Sequence, residues 1–340
     1  MKQMVRFLVK RILMLIPIML GVIIIIFCIR AVTPGNPVDS LLSETATDEQ
    51  RAALEAELNL DKPLPVQFLY YVKGVVTGDF GTSYTTHEPV LKEILERFPT
   101  SIKVCFGAVF IGLVLGVPLG IISALKQYSW LDSIVLVLSM IANATPGFCL
   151  AFVLITIFSL NLGWLPAVGL QSWKGYILPM ATIGLASLAN YTRITRSSML
   201  EVIRQDYIRT ARAKGQNEFN ITWSHALRNA AVPIVASVGQ QVGHQLGGAL
   251  IVETVFGLPG LGKYIGDAVG LRNWPALQGG VLFLALVFTL VNLATDIGFT
   301  LVNPRLKSSI MNSKETKLEK WLAGKKANQQ KILLSKREGG

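Results

Sequence analysis

Apolar residues in this chain gather into runs longer than a soluble helix or strand needs. The first covers 12–29 and follows Lys2, Arg6, Lys10 and Arg11. Five more lie near 101–125, 133–160, 176–189, 230–252 and 279–302. A hydrocarbon core of about 30 Å takes roughly 20 helical residues at ~1.5 Å each. The pattern therefore predicts an all-α polytopic membrane protein with about six transmembrane helices. The first run closes on Arg30-Ala31-Val32-Thr33-Pro34 with no small-x-small cleavage site, so 1–30 is expected to be an uncleaved anchor helix.

Between the runs the polar residues have opposite signs. The 31–99 segment is acidic, carrying Glu44, Asp48, Glu55 and Asp61 among others, whereas 193–231 carries Arg193, Arg196, Arg204, Arg209, Arg212 and Lys214. Basic flanks stay on the cytoplasmic side, which predicts both termini inside, 31–99 outside and 193–231 as an inner loop. The outer segment reads as a small helical element: Thr47 and Gln50 form a capping box ahead of 48–58, Asn59 suits a left-handed stop, and Pro63 and Pro65 restart the chain before 66–76. The tail, 307–340, is basic and polar and reads as a solvated or lipid-attracted extension. The expected divisions are 1–30, 31–99, a core of 100–306 and the tail.

Composition agrees with membrane residence. Of 340 residues, 51% are hydrophobic and only 16% charged, with a net charge of +11. Soluble domains carry about 25% charge, so the balance excludes a disordered chain and argues against an ordinary soluble globule. Cys28, Cys105 and Cys149 each fall in a separate apolar run and read as small buried hydrophobes. His87, His225 and His244 lie in an outer segment, an inner loop and a span, which gives no metal-ligand spacing. Neither a nucleophile elbow nor a zinc-protease signature is present. Gly257-Leu-Pro-Gly-Leu-Gly262-Lys263 has phosphate-loop spacing, but Tyr264 stands where Ser or Thr would hold magnesium and Pro259 removes a donor. It is not read as a nucleotide site, so ATP-driven work would need a partner.

The fifth run carries the most informative polar pattern. Gly239, Gly243 and Gly247 recur every four residues, a helix-packing stripe. Gln240, Gln241, His244 and Gln245 share that run; such groups line a water-filled path or bond between helices, and both readings stay open. Asp296 is ionisable at membrane depth and reads as structurally paired, with water and Arg305 within reach, in preference to a proton relay. In the inner loop, Met199, Val202, Ile203, Tyr207, Ile208 and Ala211 keep helical spacing, Gly215 supplies a left-handed stop, and Asn217 caps a second stretch with Phe219, Trp223 and Leu227 before Pro233 opens the fifth span. This element could rest on lipid or dock into a partner.

Several motifs together resemble one family. Thr33-Pro-Gly-Asn-Pro37, Leu60-Asp-Lys-Pro63, Gly78-Asp-Phe-Gly81, Thr192-Arg-Ile-Thr-Arg196, Asp206-Tyr-Ile-Arg-Thr-Ala-Arg-Ala-Lys-Gly215, His225-Ala-Leu-Arg-Asn-Ala-Ala-Val-Pro233, Glu253-Thr-Val-Phe-Gly-Leu-Pro-Gly-Leu-Gly262 and Val302-Asn-Pro-Arg305 are similar to the inner-membrane permeases of ABC importers for dipeptides, oligopeptides and nickel. The likeness covers nearly all but the tail. It implies a type I importer permease of a bacterial inner membrane, paired with a second permease, two ABC ATPase subunits and an extracytoplasmic substrate-binding protein. No cofactor would be bound by this chain, with ATP and magnesium held on the ATPases, and no nucleic acid is implied. The family's Glu-Ala-Ala-x-x-x-Gly coupling helix falls on Arg209, Thr210, Ala211 and Gly215; Arg209 and Thr210 depart from Glu-Ala, so a glutamate contact is not carried over. Asn273 stands where the family often has Asp. Di- or oligopeptides are the expected cargo, nickel or a metal chelate the alternative, and a non-transporting scaffold or sensor the reading from another class.

Overall fold

The computed structural model describes residues 2–34, 38, 41–42 and 46–302. Among them every regular element is a helix, apart from an isolated bridge between Thr82 and Pro89. The expectations for the tail, for 35–37 and for Arg305 lie outside the described residues, as does the side chain of Asp296. Packing divides the chain into one compact unit of Met1–Leu293 and a second of Ala294–Gly340. Of the second, only the last turns of helix α12, to Val302, are described.

Helix α1 is Lys2–Val32. Helix α2 (Asp48–Glu57) starts on the expected capping box: Gln50 N donates to Thr47 Oγ1 at 3.3 Å, and Thr47 N donates to Gln50 Oε1 at 3.1 Å. Asn59 then takes a left-handed φ of 56°. Helix α3 (Leu64–Thr77) follows Pro63 and stops at Gly78 with φ 79°. Helix α4 (Val90–Leu125) begins well ahead of the apolar run and has 36 residues, about 54 Å of helix.

The run at 133–160, expected as one span, is two pieces. Helix α5 (Trp130–Ala144) and helix α6 (Gly147–Leu154), which continues through π turns as Ile155–Asn161, are bent by 105°. Pro146 cannot extend α5, and it drives Thr145 to an extended ψ of 123°. Helix α7 (Ile177–Ile203) continues past its apolar run and ends just before helix α8 (Asp206–Ala213). The amphipathic helix expected from Met199 onward is thus the tail of α7 plus α8. Helix α9 (Glu218–Asn220) begins where Asn217 Oδ1 accepts from Asn220 N at 2.8 Å, and runs through π turns into helix α10 (Leu227–Val255). Pro233 lies inside α10 rather than opening it; packed neighbours tolerate such prolines in membrane-type bundles. Helices α11 (Leu261–Gly270) and α12 (Trp274–Val302) complete the order.

Among the described residues, Ile12–Val32, Val90–Leu125 and Trp274–Thr295 are long and apolar enough to cross a membrane by themselves, and the bent pair is a fourth candidate. Helices α7 and α10 have 27 and 29 residues but lower hydropathy. Their polar side chains turn inward: Ser187, Thr192, Thr195 and Gln245 are all buried. Helices α4, α7 and α10 form the centre, sharing a core of Val104, Ala108, Leu178, Ile183, Ala249 and Val252.

Helices α4 and α7 approach closely because α4 presents glycine every fourth position. A Cβ at Gly112 would lie 2.9 Å from the Tyr191 ring, one at Gly116 2.8 Å from Tyr191 Cβ, and one at Gly120 2.6 Å from Thr192 O. Thr192 Oγ1 uses that proximity to donate to Gly116 O at 3.2 Å. Small-residue faces allow such backbone contact where helices share lipid.

Candidate functional site

At one end of the bundle, α8 is seated by Ile208, with Ala211 packed beside it. Ile208 is fully buried against Ile121 and Ala124 of α4, Met199 of α7 and Ala226 and Ala230 at the start of α10. An eight-residue helix cannot hold itself together in water, so this contact fixes its position. The rest of α8 faces outward: Tyr207, Arg209 and Thr210 are exposed and Ala211 is half-buried. Gly215 closes the element with φ 79°, and a Cβ there would meet nothing within 4 Å. Its role is conformational: a side chain would fit but would strain the backbone.

Ion pairs brace the surroundings. Arg212 grips Glu218 through Nε–Oε1 at 2.5 Å and Nη2–Oε2 at 3.0 Å, and holds the Glu218 carboxyl below its ordinary range. Nearby, Phe219 and Trp223 are exposed, their rings 5.9 Å apart. The tail of α7 is clamped to the α4–α5 turn by a pair that sequence reasoning missed. Arg196 Nε and Nη2 donate to Asp132 Oδ1 and Oδ2, each at 2.8 Å, and Tyr128 N and Ser123 Oγ also donate to this carboxylate. Asp132 is only 3% exposed. All four bonds satisfy a charge that would otherwise be costly to bury.

The α10 polar residues do not share one environment. Gln245 is 4% exposed, and its Nε2 donates to Ser187 Oγ at 2.7 Å, bridging α10 to α7. Gln241 is half-buried. Gln240 and His244 are exposed on one face, together with Gly247 and Ile251. The glycines divide likewise: Gly239 is half-buried, a Cβ at Gly243 would sit 3.1 Å from the Phe288 ring of α12, and one at Gly247 would meet nothing within 4 Å. Gln240, His244 and Gly247 thus form an uncovered, mixed polar strip along the middle of α10.

At the other end of the bundle, the segment with phosphate-loop spacing encloses one of the protein's own carboxylates. Glu253, fully buried, accepts from Ser101 Oγ at 2.6 Å and Lys263 N at 3.0 Å; Ser101 Oγ in turn accepts from Leu261 N at 2.8 Å. Two of the first N–H groups of α11, Leu261 N and Lys263 N, which have no partner within their own helix, are satisfied this way. Glycine is required by the fit, since a Cβ at Gly260 would lie 2.3 Å from Glu253 Cδ. Beside it, Glu93 accepts from Arg97 Nη2 at 3.1 Å and from Tyr264 OH at 2.9 Å. Burial, reinforced by that bond, pushes the Tyr264 hydroxyl up from its ordinary pKa. Asn273 ties in the preceding loop: its Oδ1 accepts from Tyr84 N at 3.1 Å, and its Nδ2 donates to Ser83 Oγ at 2.9 Å and Thr85 Oγ1 at 3.2 Å.

Residues 116–308 match the family described as the binding-protein-dependent transport system inner membrane component, and residues 4–105 match the N-terminal membrane component of such systems. The chain belongs to this family. The permease is 38% identical over 332 residues to the dipeptide transport system permease protein DppB of Alkalihalophilus pseudofirmus, spanning 89% of this chain and 100% of the relative. It is 39% identical over 304 residues to the glutathione transport system permease protein GsiC of Salmonella choleraesuis, spanning 89% and 99%. Among solved structures, the MetNI methionine ABC transporter superposes with a TM-score of 0.53 at 21% identity, over 62% of the permease and 96% of that chain. At that identity the likeness speaks for the fold alone, that of a type I importer permease. The protein is therefore a multi-pass inner-membrane permease component of an ABC importer.

Proposed function

We propose that this permease carries short peptides, the class to which the dipeptides and glutathione named for its relatives belong, and that α8 is its docking helix for an ATPase subunit. The observation that carries the coupling is the seat of Ile208. A force applied to the exposed face of α8 reaches the ends of α4, α7 and α10 through Ile208 and Ala211, without a flexible linker. On this reading the α8 end is cytoplasmic, as are both termini, and the end with α3 and α11 receives substrate from an extracytoplasmic binding protein. A second permease and two ATPases complete the assembly. ATP and magnesium belong to the ATPases.

The exposed strip of α10 at Gln240, His244 and Gly247 is the proposed wall of the path, facing the second permease. Its amide and imidazole groups suit the backbone of a peptide, which offers donors and acceptors irrespective of its side chains. Gln245 serves packing instead. Closure of the ATPases would draw the paired α8 helices together and rock the helices they are seated on, opening the path to the opposite side by rigid-body motion.

Co-purification and uptake test the coupling together. Replacing Thr210 with Trp on the exposed face of α8, or Gly215 with Val at its stop, is expected to reduce ATPase retention and peptide uptake while the permease still inserts. Unchanged retention and uptake in both variants would refute the docking assignment.

A further inference from the structure

We propose that α3 lies in the membrane interface, with its outward face immersed in the leaflet remote from α8 and phospholipid as its partner. The inference depends neither on what the permease carries nor on which end of the bundle is cytoplasmic.

Two spans fix the depth of α3. The apolar run of α1 closes at Ile29, and that of α12 opens near 279. Phe68, Tyr71, Val72 and Val75 of α3 share a core with Ile23 and Ile26 of α1 and Leu282 of α12. The Phe27 ring meets Phe68 edge-on at 5.2 Å between centroids and stacks on Tyr71 at 6.4 Å. Phe27 and Leu282 each stand within one turn, about 5 Å, of the end of their run, and Ile23 stands deeper. Just past the run, Arg30 Nη2 donates to Gln67 Oε1 at 3.1 Å, which marks the polar edge. Helix α3 is therefore packed beside the last turns of the hydrocarbon region, not above them.

The side of α3 turned away from that core is apolar as well. Val66, Leu69, Tyr70 and Val76 are exposed, Leu69 by 66% and Val76 by 80%. At 3.6 residues per turn they fall, with Lys73, in one stripe. Lys73 is the single charge in the helix, and none of its 14 residues is buried. A helix that is apolar all round belongs in a core or in lipid, and one of this length is too short to span and suits an interfacial segment. Helix α2, next to it in the chain, gives the contrast: its exposed positions include Asp48, Glu49 and Gln50, a surface for water.

Lipid is the occupant that this depth calls for. At the level of Phe27 a stripe pointing away from the bundle meets acyl chains and headgroups, about 5–10 Å into the boundary, as amphipathic interfacial helices do. A soluble binding protein cannot reach that level. Lys73 lays its stem along the stripe and carries its ammonium to the phosphates. Tyr70, with Lys62 Nζ 4.5 Å from its ring centroid, has the amphipathic ring that settles at headgroup level.

Photoreactive benzoylphenylalanine placed at Leu69 or at Val76, in the full transporter in native membranes, reads what touches the stripe. Illumination is expected to give phospholipid adducts at both positions and several-fold fewer at the exposed Ala52 of α2. A fluorophore on Leu69→Cys, with Cys28, Cys105 and Cys149 changed to alanine, should be quenched several-fold more by lipid carrying a nitroxide high on its acyl chain than by aqueous iodide. The order should reverse on Ala52→Cys in the same background. Adducts to another subunit in place of lipid would make the stripe a protein interface and overturn the proposal. Stronger quenching by iodide than by nitroxide lipid at Leu69 would overturn it too.

Discussion

Replacing Glu253 with alanine removes the acceptor on which the start of α11 depends. The side chain is fully buried, and its carboxylate accepts from Lys263 N and Ser101 Oγ. Serine can rotate to another partner, but Lys263 N cannot move without unwinding the helix. Leaving that donor unmade costs about 1–3 kcal/mol, and losing the side-chain atoms from a fully buried site adds to it. Glutamine keeps the shape and one acceptor oxygen, so Glu253→Gln should cost about 1 kcal/mol, the margin of a charge-assisted bond over a neutral one. The assay is equilibrium unfolding of the purified permease in mixed micelles with rising SDS fraction, followed by amide exchange at 261–264. Alanine should shift the transition far more than glutamine and expose those amides. An alanine variant within about 0.5 kcal/mol of the parent, the size of an ordinary surface change, would refute the cradle, as would glutamine being as damaging as alanine.

Four further outcomes follow from the packing. Gly116→Leu should destabilise by about 1–3 kcal/mol or more through overpacking against Tyr191, whereas Gly247→Ala, with open space around it, should leave SDS unfolding unchanged. Arg196→Ala should cost about 3–5 kcal/mol, because it leaves the buried Asp132 charge uncompensated, and Asp132→Asn in the same chain should recover part of that loss. Asn273→Ala should loosen the 83–85 loop and raise its proteolysis, while Asn273→Asp should hold it, since Tyr84 N, Ser83 Oγ and Thr85 Oγ1 can all donate to a carboxylate. The Arg212–Glu218 brace should be pH-dependent. Glu218 titrates lower when folded than when the loop is open, so the stabilisation is complete above the ordinary carboxylate range and disappears as pH falls through the depressed value. Amide exchange in α8 and α9 should show the loss, and Glu218→Gln should abolish the dependence.

Local signals read well from the residues alone. Thr47 with Gln50, Asn59, Gly215 and Asn217 each act over three or four positions, and each takes its expected conformation. The bend at Thr145-Pro146-Gly147 was within reach too, but the unbroken apolarity of 133–160 outweighed the proline. What escaped depends on distant partners. Spacing marks Gly239, Gly243 and Gly247 as a smooth face just as it marks Gly112, Gly116 and Gly120, yet only the packed structure shows that α7 fills the second while the first is partly open. Likewise Asp132 and Arg196 lie 64 positions apart, and neither has a local pattern to point to the other. Gln245 and His244 are adjacent in sequence but face different surroundings, so composition could not separate an interhelical bond from an exposed strip. Asn273 stands where the family often has Asp, and spacing could not show that it holds the 83–85 loop through both ends of its amide.

The central claim is that this permease moves short peptides under the control of an ATPase docked on α8. Uptake of labelled di- and tripeptides, with nickel in parallel, in cells that have the whole transport system and either the parent chain or Ile208→Asp tests it most directly. Ile208→Asp removes the apolar seat of α8 but leaves the α10 strip intact. The account predicts peptide uptake by the parent, no dependence of nickel uptake on this chain, and loss of peptide uptake in the variant with the permease still in the membrane. Full peptide uptake by the variant, or nickel uptake as the activity that depends on the chain, would contradict it.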